Sequence, residues 1–236
     1  MDITFTPIGT ISSCFKEKFG IPRQAGLVPE ARGTLELLPP FNRLEALRGL
    51  EDFSHIWLVF LFHENIGRQW KSTVRPPRLG GNRRLGVFAT RSPFRPNAIG
   101  LSAVKLERIE ISGSRVILHL GGVDLLDGTP VLDIKPYLPY ADSIPNATGG
   151  FAPLPPDQNI EVTFTAECLN KLRTLENSGF PRLEKLIVDT LGCDPRPAYY
   201  QNHPQKESFG LRMLDFDLRW EFQDDRIVVT DLVKTA

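Results

Sequence analysis

Residues 74–102, VRPPRLGGNRRLGVFATRSPFRPNAIGLS, cannot form one regular element. Pro76, Pro77, Pro93 and Pro96 each lack the amide donor a helix needs, and each ring clashes with the turn before it. The segment reads as a loop over 75–84, a short strand over 85–90, a loop over 91–98 and a strand from 99 to 106. It carries Arg75, Arg78, Arg83, Arg84, Arg91 and Arg95 and no acid, and extension back to Arg68 and Lys71 adds two cations and still no acid. The whole chain balances 28 Lys and Arg against 28 Asp and Glu, so this excess is local. An ordered, solvated surface is one reading. The other is an anion site, because guanidinium forks on stiff loops suit phosphate or carboxylate. The absence of acids favours the anion, and a nucleic-acid backbone is the commonest large one.

At 236 residues the chain can hold one large domain, or one domain and a small second one, without disulfide or metal support. Cys14, Cys168 and Cys193 are far apart, and the four histidines are scattered, so no metal-ligand spacing exists and a reduced, cytoplasmic setting fits. The first residues carry Asp2 and no signal-peptide core, and no apolar run reaches the ~20 residues that span a bilayer.

Alternation predicts a strand over 3–11, then a long loop over 15–29 and a strand over 33–38. Asn42 is placed to cap a short helix that runs to Arg48 and stops at Gly49. Residues 53–63, FSHIWLVFLFH, read as a strand buried on both faces, ending at His63–Glu64. Strands over 98–111 and 114–121 join at Ser112–Gly113, and a DGTP turn precedes a strand over 131–134. This is the pattern of a mainly β barrel or sandwich. No phosphate-binding glycine loop follows a strand, so dinucleotide and nucleoside triphosphate folds lack support. The organisation is therefore a β domain over 1–143, a Pro- and Gly-rich linker over 144–159, and a small α+β domain over 160–236. The last contains a strand at 160–165, helices over 166–177 and 181–191, a strand over 214–222 with strict alternation, and a strand over 227–230.

Taken together, PRQAG, GLEDFSHIWLVFLFH, TVRPPRLGG, GVFATRSPFRPNAIGLS, VDLLDGTPVLDIKPYLPYAD and DPRPAY resemble the TrmO (TsaA-like) family of S-adenosylmethionine-dependent tRNA N6-adenine methyltransferases. The match is dense over 7–142 and thinner beyond. The resemblance implies a methyltransferase built on a single β-barrel, acting as a homodimer with the cofactor near the subunit interface. It implies a tRNA anticodon loop as partner, with methyl transfer to N6 of threonylcarbamoyl-adenosine at position 37. It also implies cofactor contacts from Pro22, Arg23 and Gln24, from His63 and Glu64, from Arg91 and Leu101, and from the turn Asp127, Gly128, Thr129 and Pro130. No metal is implied.

These residue types suit a ligand with a sulfonium, a carboxylate, a ribose diol and an adenine. Arginine holds a carboxylate bidentately, and a glycine turn lets backbone approach a ring. Each patch alone has a plainer meaning: a hairpin turn, a strand end meeting water, a surface loop. For the target base, Asp133, Lys135 and Tyr137 offer a carboxylate, a cation and a ring that alternation puts on one face. The rival is a Lys–Asp pair beside a packed tyrosine. Phosphate contacts are expected from Arg75, Arg78, Arg83, Arg84 and Arg95, aided by Arg196 and Tyr199. Two other functions stay open: a non-catalytic RNA-binding module that senses S-adenosylmethionine, and a small-molecule methyltransferase.

Overall fold

The computed structural model describes residues 3–156, 160–196, 208–223 and 225–235, so Tyr199 lies outside the described residues. Six strands close into a barrel: β1 (Gly9–Ser13), β2 (Arg32–Leu37), β3 (His55–Leu61), β6 (Ile99–Ser112), β7 (Arg115–Gly121) and β8 (Pro130–Pro136). Between β3 and β6 lie the two-residue strands β4 (Thr73–Val74) and β5 (Leu85–Gly86), which pair with each other and form a small arm. The barrel runs in the order β1-β2-β7-β6-β3-β8, with every adjacent pair antiparallel. Antiparallel closure sorts the connections into two rims. The ends of β1, β3 and β7 and the starts of β2, β6 and β8 share one rim, called upper here.

The core follows from alternation. Ile56, Leu58 and Phe60 of β3 point inward with Ile11, Leu35, Val104, Leu118, Leu120 and Val131, all buried. Their outward neighbours Trp57, Val59 and Leu61 are half-exposed, so β3 is not buried on both faces as expected. A strand in a closed barrel keeps one face outside, so the apolar run of β3 leaves Trp57, Val59 and Leu61 on the outer surface.

Several local expectations change. The first strand begins at Gly9, and Ile3 and Phe5 are exposed. Pro7 has no amide to enter a ladder, which delays pairing until Ile8 donates to the Val131 carbonyl at 2.8 Å. Asn42 caps nothing: its amide donates to the Ser114 carbonyl at 2.7 Å, and the residues 44–47 form only a 3₁₀ turn. Gly49 ends that turn as expected, at φ 85. The β6–β7 hairpin turns at Gly113–Ser114, since Ser112 still pairs with Arg115.

The second sheet runs β10 (Ser208–Met213), β11 (Phe216–Gln223), β12 (Arg226–Lys234) and β9 (Val162–Phe164), with β9 parallel to β12. Beside it lie α2 (Ala166–Asn177) and α3 (Leu183–Gly192), which add Cys168, Leu172, Leu183, Ile187 and Leu191 to its core. The helix α1 (Pro139–Asp142) follows the barrel. Strand β10 has no counterpart among the sequence expectations, although Phe209, Leu211 and Met213 alternate inward along it.

This sheet braces the long loop over 14–31. Phe15 bridges to Met213, Leu214 donates to the Cys14 carbonyl at 2.7 Å, and Phe19 stacks on Trp220 at 5.9 Å between centroids. The loop is thereby held over the upper rim instead of trailing in solvent.

Gly100 shows how tightly that rim is packed. It lies opposite Phe60 in the β3–β6 ladder, and a Cβ there would sit 2.2 Å from the Phe60 ring. Gly100→Ala is expected to lower unfolding stability by about 2 kcal/mol, read from urea denaturation, because the ring must leave its rotamer. An unchanged midpoint would mean that the ring moves freely.

Candidate cofactor site and RNA surface

Three connections meet at the upper rim. The loop over 14–31 brings Pro22, Arg23 and Gln24. The chain leaving β3 brings His63 and Glu64 on a 3₁₀ turn and returns through Arg91. The turn between β7 and β8 brings residues 122–129.

Backbone contacts join the first and third. The Gly26 amide donates to the Gly122 carbonyl at 2.8 Å. A Cβ at Gly122 would lie 3.1 Å from the Gly26 Cα, and both residues have the positive φ that favours glycine. The Arg91 guanidinium donates to the Gln24 side-chain oxygen. Asp127 accepts from the Ser13 amide at 2.9 Å and pairs with Lys16 at 2.9 Å, which fixes the DGTP turn on β1. His63 Nδ1 lies 3.4 Å from the Thr129 hydroxyl, whose own proton goes to the Leu126 carbonyl at 2.6 Å. Lys18 pairs with Glu64 at 2.9 Å and donates to Asn65 at 3.2 Å. The Lys18 ammonium holds the Glu64 carboxyl below its usual range, so Glu64 stays ionised.

Arg23 lies towards the end of α3. Burial lowers its pKa, and the carboxylate of Asp194 opposes that. Pro22 is buried, and the opening around Gly128 is free, with no atom within 4 Å of a Cβ built there. Leu101, 54% exposed on the outer face of β6, borders the same rim.

Cys14 offers no nucleophile: burial pushes its thiol up to about 12. Among the described residues no cluster of three or more His, Cys, Asp or Glu is set to hold a metal.

The sequence expectations separate here. Gln24, His63, Glu64, Arg91 and the 127–130 turn converge through the contacts above. Asp133, Lys135 and Tyr137 do not join them. They run down the outside of β8, away from the rim. Asp133 pairs with Lys135 at 2.9 Å and accepts from the Ile134 amide, while Tyr137 packs on Trp57 at 5.7 Å, near the start of β3. Asp133 does share an outer row with Val59 and Leu101, through the registers Val59↔Asp133 and Val59↔Leu101. At the lower rim a hollow of about 540 Å3 lies among Phe41, Arg43, Leu47, Phe53, Asp133 and Pro136.

The arginines also divide. Arg75, Arg83 and Arg84 are exposed on the arm, with Arg84 donating to Thr73 at 3.1 Å. Arg78 reaches the Leu154 carbonyl. Among the described residues no carboxylate pairs with these four. Arg95 is turned inward, bonding the carbonyls of Thr90 at 2.7 Å and Val87 at 3.3 Å. Arg196 is held by Asp194 at 2.8 Å and stacks on Phe222 at 3.7 Å. These two guanidiniums build the fold.

Sequence reasoning missed Lys16, Lys18, Asn65, Ser102 and Asp124. Asp124 had a signal, an acid inside the apolar run GGVDLL. Both Asp124 Oδ1 and Asn65 Nδ2 are buried at this rim with no partner among the described residues.

The sequence model for the tRNA-methyltransferase O N-terminal domain matches residues 10–143, and that for the TrmO C-terminal domain matches 157–235. A tRNA (adenine(37)-N6)-methyltransferase of Escherichia coli is 50% identical over 220 residues, 93% of each chain. A putative S-adenosylmethionine-dependent methyltransferase of Pseudomonas aeruginosa is 50% identical over 233 residues, 98% of each. The crystal structure of TrmO from Pseudomonas aeruginosa superposes with a TM-score of 0.80 at 44% identity, covering 99% of both chains.

The glycine contact makes one expectation local. Gly122→Ala should push the 22–26 loop off the rim, so the Gly26 amide exchanges its hydrogen about tenfold faster while β6 and β7 amides keep their protection. Unchanged exchange at Gly26 would show that the loop is held elsewhere.

Proposed function

The chain belongs to the tRNA-methyltransferase O family, and we propose that it transfers a methyl group from S-adenosylmethionine to N6 of adenine 37 in tRNA. The observation that carries this reading is the convergence of Gln24, Arg91, His63 and the 122–129 turn at one barrel rim, beside an acid-free arginine arm.

The rim residues fit the cofactor. Asn65 and Asp124 each bury a polar atom that has no partner among the described residues, and the backbone at Gly128 is open to approach. When bound, S-adenosylmethionine supplies an electrophilic methyl on a sulfonium. In this reading Arg91, steadied by Gln24, grips a carboxylate. The ionised Glu64 favours a cation or a diol. Asp127 shapes the turn that presents the backbone of Gly128 and Thr129, and Pro22 stiffens the approach of Arg23.

The N6 lone pair is delocalised into the ring, so holding acceptor and donor in line supplies most of the rate. For the target base we place Asp133 on the outer row shared with Leu101, where its carboxylate accepts the N6 proton as the new bond forms, with Lys135 beside it in the next row opposite Trp57. Tyr137 braces that strand against Trp57. The reading extends to an adenine that already bears a threonylcarbamoyl group, to a homodimer in which a second copy completes the exposed outer row, and to a cytoplasmic setting. Arg75, Arg78, Arg83 and Arg84 meet the phosphates of the anticodon loop, and the unit over 160–236 holds the 14–31 loop for them.

Incubation with methyl-labelled S-adenosylmethionine and total tRNA should place label on adenine 37, and tRNA lacking the threonylcarbamoyl group should take none. Cofactor binding without transfer would favour the sensing module, and label only in small molecules would favour the small-molecule enzyme. Arg83→Ala with Arg84→Ala should weaken tRNA binding and lower the slope of log affinity against log salt by about 1.4. An equal slope removes both from the interface. Asp133→Ala should slow single-turnover transfer about 100-fold at saturating tRNA, and a full rate would end its assignment.

A further inference from the structure

The connection from β2 to β3 carries two arginines outside the sites described so far. Arg43 and Arg48 stand at the two ends of the 3₁₀ turn over 44–47, and both are exposed. Three anchors fix that turn: the Asn42 side chain on the Ser114 carbonyl, the Ala46 amide on the Arg43 carbonyl at 3.1 Å, and Leu47, buried in the barrel core. Both arginines line the lower hollow of about 540 Å3, where Leu37, Leu47, Leu50, Phe53 and Ile134 form apolar walls. Small ligands occupy hollows of about 300–1,000 Å3. The acid in that lining, Asp133, is taken by Lys135 at 2.9 Å and by the Ile134 amide. Among the described residues no carboxylate pairs with either guanidinium.

Apolar walls and two unpaired guanidinium forks suit a small organic carboxylate. A phosphate backbone suits them less. Glu45, Glu51 and Asp52 are interspersed with these arginines in sequence, whereas residues 74–102 hold no acid at all. The place of Asp133 says what carries the carboxylate. It stands midway down β8, with Leu101 in its outer row on the β3 side and the hollow on the other. A base whose N6 meets the Asp133 carboxylate therefore has its N6 substituent at the mouth of the hollow.

We infer that the hollow is the subsite for an N6 substituent ending in a carboxylate, the threonylcarbamoyl arm, and that Arg43 and Arg48 read that carboxylate. The inference rests on the functional reading above and gives a place to the group that separates a modified adenine from a plain one. The walls cover the carbons of the arm, and a guanidinium fork takes its carboxylate through two parallel hydrogen bonds. A plain adenine offers neither, so it gains nothing from the hollow and is bound less well. The two sets of arginines thus divide the work. Those of the arm between β3 and β6 bind any tRNA through its phosphates, and Arg43 and Arg48 pick out the modified one.

The test uses two anticodon stem-loop RNAs, identical except for the threonylcarbamoyl group on adenine 37. Each is titrated into the full chain with S-adenosylhomocysteine present, and methyl transfer to each is measured with labelled S-adenosylmethionine. Wild type should prefer the modified RNA about 30-fold. Arg43→Ala with Arg48→Ala should erase that preference while affinity for the plain RNA, and its salt slope, stay within about twofold of wild type. Both side chains are exposed, so the melting temperature should not move. Ala46→Trp, at an exposed position in the same lining, keeps both charges and fills the space, and it too should erase the preference. An equal loss for both RNAs in the arginine variant, with a salt slope lower by about 1.4, would make these arginines phosphate contacts and overturn the inference. A preference that survives in both variants also overturns it. In either case transfer to adenine 37 by wild type leaves the functional reading standing. A wild type that binds and methylates both RNAs alike overturns the inference and leaves adenine-37 transfer intact. A wild type that labels neither overturns the functional reading as well.

Discussion

The ladder that shuts the barrel, between β1 and β8, is the shortest in it. Only Gly9↔Val131 and Thr10↔Pro130 pair there, extended by the amides of Ile8 and Ile11 to the carbonyls of Val131 and Thr129. Without it the sheet would be open, and the 122–129 turn would hang from its far edge. With it, that turn lies against the end of β1, where Ser13 and Lys16 take both oxygens of Asp127. Closure therefore does more than remove two sheet edges. It makes neighbours of segments a hundred residues apart in sequence, and the rim pocket consists of such neighbours.

A second constraint comes from outside the barrel. The 14–31 loop has no ladder of its own, and a free loop of that length would lose most of its positional precision to entropy. The C-terminal sheet supplies the order, through the Phe15–Met213 bridge and the Phe19–Trp220 stack. Gly26 and Gly122 then allow the loop to touch the turn backbone to backbone. Placement of Gln24, and of Arg91 through it, thus depends on the packing of a separate sheet. The arginine arm obeys different physics. Arg95 spends its guanidinium on two carbonyls to stiffen the loop, which leaves Arg83 and Arg84 exposed on a scaffold that does not need them.

Much of this was readable in the amino acids. The mainly β architecture followed from short alternating runs, and α2 was legible to the residue because Leu169, Leu172 and Leu175 recur at helical spacing before Ser178–Gly179, while its Thr165 cap is seen only in the fold. The motif patches at the rim were readable as patches. What the chain could not display was distance. Nothing local says that Lys18 meets Glu64, or that Arg91 meets Gln24, since the fold brings those segments together. Alternation correctly put Asp133, Lys135 and Tyr137 on one strand face, yet it could not say that the face points outward and runs away from the rim. Equal-looking arginines also hid their difference, because a guanidinium bonded to carbonyls and one bonded to water read the same in sequence.

The account stands on the location of one ligand. A crystal structure of the chain with S-adenosylhomocysteine should place it at the upper rim, its carboxylate on Arg91 and its purine or ribose over the backbone at Gly128. Density instead in the hollow of about 540 Å3 between Phe41 and Pro136 at the lower rim would contradict it.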